Sequence, residues 1–249
     1  MTASVPKSPR DEPDRHEGTA ARGHGTRRFV RDNGISLGFG IAFLLALAGQ
    51  AIAGWAEFNN QLATDGLAQI GFLGYLASSD FAVDVTENWQ SEYLQFFLYI
   101  FATVWLLQRG SPESKKMDKA GPETDEDQLM GGHARPDSPR WAGVGGARQA
   151  VFSRSLGLVM AGLFLLSWLA QSIAGAAAYN EQQLRQLQAP IDWTQYLASA
   201  DFWSRSLQNW QSELLAVASM AIFSVYLRQR GSPESKPVGT PHTSTGIEG

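Results

Sequence analysis

The sequence predicts an all-α integral membrane protein with four transmembrane helices. These form two parallel two-helix repeats with pseudo-two-fold symmetry about the membrane normal. Three observations carry that expectation. Apolar residues gather into four blocks with the charges between them. The octet QRGSPESK occurs at 108–115 and again, letter for letter, at 229–236. Basic residues crowd one side of the apolar blocks and are nearly absent from the other.

The blocks follow in order. Residues 1–26 are polar and rich in Pro, Gly and charge, the composition of a disordered tail. The first block, ISLGFGIAFLLALAGQAIAGW (35–55), carries no charge and suits a membrane-spanning helix. The second, YLQFFLYIFATVWLL, runs from 93 to 107. The third, SLGLVMAGLFLLSWLAQSIAGAAAY, covers 155–179, and the fourth, LLAVASMAIFSVYL, covers 214–227. Between the second and third, Gly, Pro and both charge signs mix as in a linker. Arg27 and Arg28, an apolar run and AIA at 51–53 also fit a cleaved signal peptide. The matching helix at 155–177 lies internally, where a signal peptide has no role.

Residue i matches residue i+121 without a gap over most of 41–115. YLASSDF (75–81) faces YLASADF (196–202), and NWQSE (88–92) faces NWQSE (209–213). Register kept over that length reads as a tandem duplication. The organisation expected is a tail (1–26), a first repeat (27–116), a cytoplasmic linker (117–147), a second repeat (148–236) and a disordered tail (237–249). Loop 57–92 has six acids and no Lys or Arg, and loop 178–212 has only Arg185 and Arg205. Arg27, Arg28, Arg31, Arg109, Lys115, Arg148, Arg154, Arg228 and Arg230 flank the helices on the opposite side. Positive flanks stay in the cytoplasm. Both termini and the linker are therefore expected inside, and loops 57–92 and 178–212 outside a cell membrane.

Composition excludes several activities. The net charge of −4 gives nucleic-acid binding no electrostatic support. The chain has no cysteine, which removes thiol catalysis and thiolate metal sites. His16, His24, His133 and His242 all lie in polar stretches, so no metal site and no cofactor is expected. No catalytic motif is found. The expected partners are the lipid bilayer and either a protein partner or a second copy.

Candidate residues come from polarity in apolar surroundings. Gln50 and Gln171 sit among small residues in the first and third helices, as helix–helix glue or as a pore lining. The second and fourth blocks are short for a core of ~30 Å, which draws NWQSE and so Glu92 and Glu213 toward hydrocarbon. The alternative is a pair of carboxylates near helix N-termini that still reach water. Asp80 and Asp201 follow Ser in SSD and SAD, which resemble N-cap signals, so a helix from Asp80 could run unbroken into the second block. With Trp89 and Trp210 they are candidate interfacial residues, in an aromatic belt or a ligand surface. In the octets, Arg109 and Arg230 are expected in the last helical turn, with Gly as the helix stop and Ser-Pro free to begin a new short helix. That reading does not use Glu113, Glu234 or the serine that follows each, which leaves room for docking.

The stretches RRFVRDNGISL, GQAIAG, YLASSDF, NWQSEYLQ and QRGSPESK resemble an uncharacterised family of bacterial membrane proteins, catalogued as a domain of unknown function. Typical members look like a single two-helix unit. The resemblance covers 29–116 and, more loosely, 150–236, where SRSLGL replaces RDNGISL and no aromatic and glutamine follow NWQSE. It implies a bacterial cytoplasmic membrane and pairing of single-unit relatives, and brings no activity or catalytic residue. Three functions are left: a non-enzymatic scaffold or partner-binding protein, a small transporter or channel using polar residues between the repeats, and an enzyme at the outer surface.

Overall fold

The computed structural model describes residues 27–246, and among these every regular element is helical. The tail expected over 1–26 lies outside the described residues. Two compact units divide the chain after Gln61. Among the described residues the first holds a helical turn at 27–32 and α1 (Gly34–Thr64), whose end runs past that division. Its mean hydropathy reaches 2.0 over 18 residues, and Ile35, Phe39, Ile41, Leu44 and Leu45 stand exposed along it.

The second unit holds α2 (Phe72–Leu76), α3 (Ser79–Ala102), a 3-10 turn (Gly131–His133), α4 (Gly146–Phe152), α5 (Ser155–Arg185), α6 (Trp193–Leu197) and α7 (Ala200–Tyr226). α5 reaches a mean hydropathy of 1.8 and, like α1, is long and apolar enough to cross a membrane. The helix starts follow from serine chemistry. Ser78 Oγ accepts from the Phe81 N–H, and Ser199 Oγ accepts from the Phe202 N–H, at 3.2 Å in each case. Each satisfies one of the amides that a helix start leaves without an intrahelical partner. Both helices begin about where SSD and SAD place them, well before their apolar blocks.

α3 does not follow its apolar run to Leu107. It ends at Ala102, and Thr103 is its C-cap. The Thr103 hydroxyl donates to the Tyr99 carbonyl at 2.7 Å, and the Gly121 N–H binds the Val104 carbonyl at 2.8 Å. β-Branching at Thr103 and Val104 adds to the tendency to stop. The octets consequently lie beyond the helix ends. Arg109 and Arg230 are not in a last helical turn, and no helix starts at Ser111-Pro112. Arg228 instead covers the end of α7, donating to the Val225 and Leu227 carbonyls at 3.0 and 2.7 Å.

The two octets fold alike. Gly110 and Gly231 have φ of +86° and +83°, the left-handed region that favours glycine. The Ser111 and Ser232 amides close turns onto the Gln108 and Gln229 carbonyls. The Ser114 and Ser235 hydroxyls accept from the Gln108 and Gln229 amides at 3.0 and 2.9 Å. So the second serine of each octet, which a helix stop does not need, closes a compact knot. The tail expected over 237–249 is held along 237–246. Lys236 Nζ, fully buried, donates to the carbonyls of Gly110, His242 and Ser244 at 2.5, 2.9 and 3.2 Å.

α3 runs antiparallel to α5. At one end the Ser79 hydroxyl donates to Glu181 at 2.9 Å; at the other, Ile100 lies 4.0 Å from where a β-carbon on Gly157 would stand. α7 is also antiparallel to α5 and parallel to α3: Trp168 meets Ser206, Phe164 meets Trp210, and Gln90 meets Trp210. The core sits where α5, α6 and α7 meet, around Ala176, Tyr196 and Phe202 with Trp168 and Tyr179 against them. Tyr196 lies across Gly175, whose hydrogen leaves room that a β-carbon would fill, in collision with the Tyr196 hydroxyl.

Candidate functional site

Two polar regions stand out in the three-helix packing. The first is a cap formed by the starts of α3 and α7 and the end of α5. Arg205 on α7 reaches Glu87 at 3.0 Å, Asp201 at 3.5 Å and Asp84 at 3.9 Å. Asp201 accepts from the Tyr196 hydroxyl at 3.0 Å. Arg185 pairs with Glu181 at 3.9 Å, beside Ser79. Asp80 and Asp201 lie in first turns, where the helix dipole favours a carboxylate. Burial nevertheless raises the pKa of Asp80, with Glu181 adding to the rise. It also raises Asp84 and Glu87, against the pull of Arg205. Burial and then Asp201 push the Tyr196 hydroxyl up. Burial opposes the charge on Arg205, but Glu87 and Asp201 outweigh it and hold the guanidinium above its ordinary pKa.

The second region is a polar seam farther along the same helices. Gln90 on α3 and Gln171 on α5 have no exposed surface, and Ser91, Ser172 and Ser206 are buried. Three indoles donate into it: Trp168 to Ser206 at 3.2 Å, Trp193 to Ser172 at 3.1 Å and Trp210 to the Gln90 carbonyl oxygen at 2.7 Å. Both amide atoms of Gln171 and the Gln90 nitrogen have no hydrogen-bond partner. Equal rise per residue along the antiparallel pair sets Gln90 level with the middle of α5.

The structure treats the sequence candidates unequally. Gln171 is sealed inside, whereas Gln50 is exposed on α1. The Gln171 amide has no hydrogen-bond partner among the described residues. Glu92 is exposed and Glu213 half-buried, and their charges interact. Asp80 and Asp201 both enter the cap. Trp89 stays exposed, and Trp210 turns inward onto Gln90. Arg109, Arg230 and Glu234 are exposed, and Glu113 accepts from the Tyr99 hydroxyl. Sequence reasoning missed Gln90, Trp168, Glu87 and Lys236. It noted Arg205 only as a stray cation in an acidic loop, though the residue 121 positions earlier is Asp84.

The family described as "Domain of unknown function (DUF6766)" matches residues 26–247. The chain belongs to that family. The DUF6766 match takes in both octets and the segment between them, farther than the 29–116 over which the quoted motifs are strongest. No curated protein and no solved structure matches the chain.

Proposed function

We propose that this DUF6766 protein is a non-enzymatic scaffold that binds a protein partner. In this reading it crosses a bacterial cytoplasmic membrane four times, with both octets and the linker on the inside. It is a tandem duplicate, 27–116 and 148–236, with the copies parallel and related by a pseudo-two-fold axis along the membrane normal.

The observation that carries the reading is the course of α3 along α5. α5 exposes Leu158, Val159, Leu165, Leu166, Leu169 and Ile173, which lipid would cover. A helix lying antiparallel along its length shares its depth, so α3 crosses with it although its own apolar run is short. α7 packs on α3 and runs parallel to it, through Arg205 with Glu87 and Trp210 with Gln90, so it crosses with α3. The axis is supported by a pair of equivalent positions that meet: Asp84 and Arg205 make an ion pair. Between scaffold and conduit, the seam favours the scaffold. Gln171, the path-lining candidate on α5, has no exposed surface, and neither has Gln90 on the helix beside it.

Flux and capture separate these functions. Proteoliposomes holding the purified chain should release potassium, sodium and protons no faster than empty liposomes. In-cell crosslinking should recover a defined partner or a second copy. Ion flux that a Gln171→Leu variant abolishes would replace the scaffold with a conduit.

A further inference from the structure

The two octets have the same sequence and the same knot, but only one is covered. At the first, Gly110, Ser111 and Pro112 are buried. The chain's own segment His242–Gly246 lies over them. The Gly110 N–H donates to the Thr245 hydroxyl at 2.8 Å, and the Gly246 N–H donates to the Ser111 carbonyl at 3.1 Å. A β-carbon on Gly110 would collide with the His242 carbonyl oxygen, so the seat depends on a bare glycine. The Lys236 ammonium ties the segment down by binding carbonyls on both sides of the contact. At the second octet, Gly231, Pro233 and Glu234 are exposed, and among the described residues nothing stands within 4 Å of a β-carbon placed on Gly231.

We infer that the second octet, Gln229–Lys236, is a docking site for an extended, hydroxyl-rich peptide segment of a partner protein, bound as His242–Gly246 is bound by the first. The seated segment defines the ligand chemistry. A Thr or Ser hydroxyl accepts the glycine N–H, a following residue donates its backbone N–H to the serine carbonyl, and the backbone between lies flat on the glycine. The segment His242–Gly246 is itself engaged at Gly110, so the occupant of the second octet is a different segment, which we assign to a partner protein. The site rests on the scaffold reading and names the kind of partner that scaffold holds.

The test uses the full chain in detergent micelles and a fluorescent peptide of residues 236–246, KPVGTPHTSTG. Saturable binding of one peptide per chain is expected. A Thr245→Val peptide should bind about fivefold more weakly, the net worth of one hydrogen bond. Gly231→Asn keeps a residue tolerant of positive φ but puts a side chain in the path. It should abolish binding while far-UV helicity stays unchanged. No saturable binding to the wild-type chain, equal binding of a scrambled peptide, or full affinity for Gly231→Asn would overturn the site. The Thr245→Val peptide keeps the test decisive if Gly231→Asn misfolds. Loss of the site alongside flux-tight proteoliposomes and a captured partner would leave the scaffold standing with a different docking surface.

Discussion

Gly175 and Tyr196 show how little slack the core has. The Tyr196 ring is fully buried and lies where a β-carbon on residue 175 would go. Gly175→Ala should therefore destabilise the protein by ~1–3 kcal/mol, the usual cost of overpacking, read as a lower denaturation midpoint in detergent. The cap carboxyls make a second prediction. Asp80, Asp84 and Glu87 have folded pKa values above their unfolded ones. The folded state then holds protons that the unfolded state releases, so stability falls as pH rises through the folded values. Acidifying from neutrality should raise the denaturation midpoint, with the gain complete near the unfolded values of ~4. Arg205→Gln removes the charge that pulls Asp84 and Glu87 down, and should enlarge that gain. A midpoint that drops steadily on acidification contradicts the assignment.

The elements show what the sequence carries and where it stops. SSD and SAD revealed the starts of α3 and α7 because an N-cap is a local device, one serine and the amide three residues on. Ser78→Ala and Ser199→Ala should each cost ~1 kcal/mol, and Ser→Asp at either position should restore most of it, as measured by unfolding in detergent. The end of α3 was not legible. The apolar run continues to Leu107, and only the tertiary bond from Gly121 to Val104 shows where the helix gives way. The octet glycines were readable as left-handed positions. The knot was not, because its serine acts on the backbone six residues earlier. Lys236 reads as a surface lysine until the fold wraps four backbone carbonyls around it.

At the scale of the whole molecule, the offset of 121 sets Asp84 against Arg205, and these two residues meet in an ion pair. Asp84 opposite Arg205 is an opposite-charge pair that two identical copies could not make, since each position would face its own charge. In the proposed duplication, the equivalent sites have diverged into acid and base. The same divergence hid the seam. Trp168, which touches Phe164, Phe202, Trp203 and Trp210, stands where the first copy has Leu47, so repeat matching gave it no weight. Two residues apart on α3, the neutral Gln90 is fully buried and the charged Glu92 is exposed, the reverse of what charge alone suggests for a site.

The proposed four crossings, with α3 lying along α5 and α7 along α3, can be measured directly because the chain has no cysteine. Single cysteines go at exposed sites between the helices and in the tail: Asp65→Cys, Asp137→Cys, Gln188→Cys and Val238→Cys. Each is treated with a membrane-impermeant maleimide in intact cells and again after permeabilisation. Alternation is expected: cysteines at 65 and 188 react in intact cells, and those at 137 and 238 react only after permeabilisation. Labelling of 65 and 137 from the same side would show that α3 does not cross, and the same result for 188 and 238 would show it for α7; either contradicts the four-crossing architecture.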